Sequence, residues 1–254
     1  MYLLHIKINK HYTLPGLALL VIVGLLIYGP IPQDPSYHQF ADNRTMFGIP
    51  NFLNVITNLP FAVIGLLGLN MVNSIPEKRL KIIGTAIFIG FLLLTAGSGY
   101  YHLQPSNQSL VYDRIPISII LISMFSFIIY DLVHQQKGYW AFFILNAVGV
   151  LSVIYWTRTE LVGKGDLRPY AMVQFFPLVA IPLLLGLYKS PNNYTKQIVC
   201  MFLVFGFAKL AETYDKEIYQ LLGNTISGHS FKHLLMAVAG YEIAMLFRIL
   251  KKRE

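Results

Sequence analysis

The stretch "IIGTAIFIGFLLLTAGSGYYH", residues 82–102, carries no charged side chain before its closing histidine. Its length decides the fold. About 20 apolar residues wound as a helix cross roughly 30 Å of hydrocarbon, and a helix satisfies every backbone polar group within the segment. Seven further stretches, approximately 13–29, 52–73, 114–133, 139–157, 171–188, 197–214 and 230–249, come close to the same standard. The expectation is an all-α, polytopic membrane helix bundle forming a single membrane domain over 1–254. It has a seven-helix core over 40–249 and one additional N-terminal transmembrane helix at 13–29. That first stretch has the basic start and apolar middle of a signal peptide, but "PIPQDPSY" follows it with no small-x-small cleavage site, so it reads as an uncleaved helix.

Composition agrees. The 254 residues are 55% hydrophobic and only 13% charged, with mean hydropathy +0.55, more apolar than a soluble core requires. The formal net charge of +8 could suggest nucleic acid, but the basic residues sit in short groups between apolar runs and read as topology determinants instead. With the N-terminus cytoplasmic, Lys7, Lys10, Lys78, Arg79, Lys81, Lys137, Lys189, Lys196, Arg248, Lys251, Lys252 and Arg253 fall on the inner side. Both termini are then cytoplasmic. The ends of the stretches holding Ser98, His102, Asp113, His229 and His233 reach the outer face. A bias this clean suits a bacterial inner membrane. Cys200 is the only cysteine, which excludes an internal disulfide. Nothing in the sequence assigns an oligomeric state.

The chemistry-bearing residues gather at segment ends. Residues four apart on a helix share a face, so Ser98 and His102 project together, as do His229 and His233 in "HSFKH". Three imidazoles from two helix ends suit three corners of a tetrahedral zinc site with water as the fourth ligand. Alone, a His pair at this spacing is weak, since most are polar surface; ionisable groups at apolar segment ends, however, need partners. Asp113, in "LVYDRIPI", reads either as a helix cap and macrodipole partner or as a carboxylate that accepts a proton from an activated water. Ser98, in the small-residue run "TAGSG", reads either as packing or as a donor to a developing oxyanion. Lys209 and Glu212 read as a mutual ion pair, Asp215 as a solvated residue, and His38 as an interfacial polar group. Candidate ligands at one membrane face argue against metal or haem transport, which needs a continuous polar path.

The order "SGYYH", then "YD" with Asp113 eleven residues after His102, then "HSFKH", resembles the alkaline ceramidase family. That family belongs to a group of seven-helix membrane hydrolases that also includes the adiponectin receptors. "FLNVITNLPF" is similar to the family's first core helix, and the resemblance spans about residues 40–245. It implies zinc held by His102, His229 and His233, with Ser98 on the oxyanion side and Asp113 moving the proton. The implied reaction is hydrolysis of the amide joining a fatty acid to a long-chain base, in an N-acyl lipid substrate drawn from the bilayer. The alternative is a non-catalytic lipid receptor or lipid-handling protein on the same bundle. One departure concerns calcium, which the family binds before the first core helix through a group including a Glu. Here Asn51 stands at that position and Arg44 is placed to occupy the space of a cation, so no calcium ligand carries over.

Overall fold

The computed structural model describes residues 10–251, and every regular element among them is helical. In chain order these are α1 (Lys10–Tyr28), a 3-10 turn (Pro35–His38), α2 (Phe52–Ile56), α3 (Leu59–Asn73) and α4 (Lys78–Leu103). There follow α5 (Asn107–Ile128), prolonged by a π turn (Ile129–Val133), α6 (Gln135–Leu161) and α7 (Arg168–Leu187). The last are α8 (Thr195–Thr213), α9 (Asp215–Leu221) and α10 (Gly228–Lys251). Among the described residues six segments are long and apolar enough to cross a bilayer, with α2 and α3 together making one, whereas α1 is a shorter apolar helix outside that set. The α8–α9 pair, bent by 83°, makes a seventh if it is one span. The chain is thus an all-α, multi-pass membrane bundle. Lys7, Lys252 and Arg253, counted above with the inner basic groups, lie outside the described residues.

Several helices exceed the apolar stretches that predict them. α5 begins at Asn107 rather than near 114, and α6 runs 135–161 rather than 139–157. Hydropathy marks only the greasy middle of a helix, while its polar end turns are set by capping. Before α5, Ser106 accepts from the Ser109 amide while the Ser109 hydroxyl accepts from the Ser106 amide, a reciprocal capping box. Asp113 therefore lies in the second turn of α5 and is no cap.

α5 is the centre of the bundle. It packs against α4, α6 and α7, and its most apolar window is 72% buried, against 28% for α6, which faces outward. α10 packs on α3 and α8. α1 lies antiparallel along α7: the Lys10 ammonium donates to the Leu187 carbonyl at 2.5 Å, and Arg168 Nη1 to the Leu25 carbonyl at 3.4 Å.

Two glycines set the spacing at one end of the bundle. A Cβ at Gly97 would lie 2.0 Å from the Tyr112 carbonyl oxygen, so α4 and α5 can touch here only without a side chain. A Cβ at Gly228 would lie 2.1 Å from the Ala211 carbonyl oxygen, which brings the start of α10 against α8. Ser98, Asp113 and His229 are each the next residue along the chain from one of these close approaches.

Candidate functional site

His102 ends α4, and His229 and His233 occupy the first turns of α10. All three are buried, and one ring nitrogen from each lies within 4.8 Å of the others. Each pair of rings has its centroids 4.9 Å apart. Two stretches of chain separated by about half its length thus converge at one end of the bundle.

Neighbouring bonds fix which nitrogens are available. The Thr57 hydroxyl has a single hydrogen, which it donates to the Leu53 carbonyl at 2.6 Å. Toward His233 Nδ1, 3.0 Å away, it can only accept. The His233 proton is therefore on Nδ1 and the lone pair is on Nε2. Lys232 Nζ lies 3.2 Å from His229 Nε2. An ammonium has only donors, so that nitrogen accepts from the lysine, and a metal bound through it would displace the ammonium. Nδ1 of His102 is buried without a hydrogen-bond partner, which costs about 1–3 kcal/mol unless something binds the ring. Oriented lone pairs, an orphaned imidazole nitrogen and an all-imidazole donor set fit a divalent transition metal with an open fourth position.

Ser98 stands one turn before His102 on α4, and both are buried. The Asp113 carboxyl on α5 is buried as well and borders the same space as Ser98. All five predicted site residues thus border one cavity of about 290 Å³. Away from the imidazoles its walls become apolar, with Phe61, Leu94, Met201, Phe202 and Ile243 among them.

Several members of the site escape a sequence reading. Phe40 roofs the imidazoles, its ring 4.7 Å from those of His102 and His229. Lys232 and Lys209 both pair with Glu212, with Lys232 at 2.8 Å. The expected Lys209–Glu212 pair is thus part of a three-residue chain reaching His229. Asp215, read from the sequence as solvated, accepts from the His229 amide at 2.7 Å and the Ala41 amide at 2.9 Å. It caps α10 and fastens the 30–51 loop over the site. His38 is half-buried and hydrogen-bonded to the Tyr101 hydroxyl and the Asn107 side chain, both at 3.0 Å. Besides the Lys209–Glu212 spacing, a lysine three residues after His229, sharing its helical face, is a signal present in the sequence.

The loop ahead of α2 is held by direct bonds. Arg44 forks onto the Asp42 carboxylate, with Nε at 2.8 Å and Nη2 at 2.7 Å, and Nη2 also reaches the Thr225 carbonyl at 2.7 Å. Asn51, in the left-handed region at φ 48° that asparagine tolerates, donates to the His102 carbonyl at 2.9 Å. Asn54 donates to the Asp42 carbonyl at 3.0 Å and accepts from Ser230 at 2.6 Å. Outside the spans, Asp166 pairs with Arg168, and that hydrogen-bonded guanidinium holds its carboxyl down at about 2.

A family model described as Ceramidase matches residues 44–254, which is most of the chain and includes every residue of the imidazole cluster. No curated protein matches the chain.

Proposed function

Because the chain belongs to the ceramidase family, we propose that it is a zinc-dependent amidohydrolase cleaving ceramide-like N-acyl lipids to a fatty acid and a long-chain base. The observation that carries this reading is the convergence of three buried imidazoles at the polar end of an otherwise apolar cavity. His102, His229 and His233 would hold the zinc. When bound there, zinc lowers the pKa of a water toward about 7 and polarises the amide carbonyl.

The remaining chemistry belongs to the chain. Asp113 takes the proton of the attacking water and returns it to the leaving nitrogen, without which the amine is a poor leaving group. Ser98, on the adjoining helix, donates to the carbonyl oxygen as negative charge builds there. Thr57 and Asp215 hold His233 and the start of α10 in place. The apolar cavity positions the acyl chain, and Phe40 shields the imidazoles from the loop side. The basic groups Lys78, Arg79, Lys81, Lys189 and Arg248 lie at the helix ends remote from the imidazoles. Under the positive-inside rule, this supports an outward-facing site and cytoplasmic termini.

The test is release of fatty acid from ceramide by detergent-purified protein. Wild type is expected to turn over, and Asp113→Asn to lose about 10²–10⁴-fold in kcat while still binding ceramide. A wild type that binds ceramide without turnover would favour the lipid-receptor alternative.

A further inference from the structure

Arg114, the residue after Asp113, is also buried at 6% exposed, and it borders the same cavity as the imidazoles. Its guanidinium is caged by aromatic rings: Cζ lies 4.0 Å from the Trp156 ring centroid, 4.8 Å from Tyr170 and 5.7 Å from Tyr37. Nη2 donates to Gln33 Oε1 at 2.5 Å. Nη1 is buried with no hydrogen-bond partner. Among the described residues no carboxylate lies within ion-pair distance of Arg114.

An arginine cannot shed its charge, and burying a charge without a direct ion-pair partner is costly. Cation–π contacts return about 0.5–2 kcal/mol each, but they leave Nη1 without an acceptor. If the residue served only to tie down the 30–51 loop through Gln33 and Tyr37, a neutral glutamine would do so without that cost. The cage also fixes the guanidinium plane, the geometry that suits two parallel bonds to an oxyanion.

Resting on the amidohydrolase reading, we propose that Arg114 is a specificity residue for an oxyanion (carboxylate, phosphate or sulfonate) on the amine half of the N-acyl lipid. The deeper walls of the cavity are apolar and suit the acyl chain. Arg114 instead meets Tyr37 of the 3-10 turn, at the end where the imidazoles and Asp113 lie. A substrate with its amide at the imidazoles and its acyl chain inward presents its amine half to this end.

Two matched pairs test this with the full-length protein in detergent: C16 ceramide against its 1-phosphate, and N-palmitoylglycine against the neutral N-palmitoylglycinamide. Fatty acid release should favour the anionic member of at least one pair by about tenfold or more in kcat/KM, mainly through KM, as charge-assisted bonds exceed neutral ones. Arg114→Gln should abolish that preference while leaving the neutral member within about threefold of wild type. The absence of a preference in both pairs, or an equal loss on both members in the Gln variant, would overturn the proposal. Where the Gln variant does not fold, Arg114→Lys decides, because it keeps the charge and loses the fork: a reduced preference supports the assignment and an unchanged one defeats it. If none of the lipids turns over, the hydrolase reading fails separately. Thermal shifts with the same lipids then decide the role of Arg114: stabilisation by the anionic members that Arg114→Gln removes supports it, and equal stabilisation by both members refutes it.

Discussion

The two ends of α4 and α10 are equally buried but differently built. Remote from the site, Phe88 meets Phe247 at 5.5 Å between centroids, and Phe247 meets Phe127 at 5.4 Å, over a floor that includes Ile83. At the other end the same two helices bury Ser98, His102, His229, Ser230 and His233. Close packing holds the first end, and many residues of similar volume would serve there. The second end is held by bonds with direction, such as Thr57 to His233 and Asp215 to the His229 amide. One end therefore sets stability and the other sets chemistry.

Phe247→Ala probes the first end. It leaves a cavity beside Phe88 and Phe127 and should lower stability by about 2–3 kcal/mol. That is less than the roughly 3–5 kcal/mol usual for Phe→Ala in water, because lipid is as apolar as the core. Melting in detergent measures the loss, while kcat of the folded fraction should stay within about twofold of wild type. A large fall in kcat would mean that the two ends are coupled.

Thr57→Val probes the second end. It keeps the shape of the side chain and removes the acceptor that holds the His233 proton on Nδ1. Metal affinity should fall about 10–100-fold, as expected when a partner behind a ligating imidazole is removed, or about 1.4–2.7 kcal/mol. Titration with a competing chelator measures it. The melting temperature without metal should change far less than in Phe247→Ala; a comparable fall would erase the contrast between the ends.

The same contrast explains what the sequence makes legible. Hydropathy alone locates the spans, because crossing a bilayer demands a long apolar run wherever it lies. The spacing of Ser98 with His102, and of His229 with His233, identifies the candidate ligand face because helical geometry is local. Thr57, Phe40, Asp215 and Glu212 reach the site from other helices or from a loop. Their roles depend on long-range convergence that no local pattern encodes. Asp215 illustrates this: an acidic residue after an apolar run reads as solvated, yet the bend between α8 and α9 turns it toward the first amides of α10. Arg114 was hidden for a similar reason, since its aromatic cage is drawn from the 3-10 turn, α6 and α7.

The central claim is tested most directly by zinc analysis, joined to X-ray absorption, of the detergent-purified protein beside its His102→Ala variant. Wild type should retain about one zinc per chain, with imidazole nitrogens at roughly 2.0–2.1 Å, and the variant should lose both the metal and fatty acid release. Wild-type protein free of metal after zinc loading, or a variant that binds zinc as tightly as wild type, would contradict it.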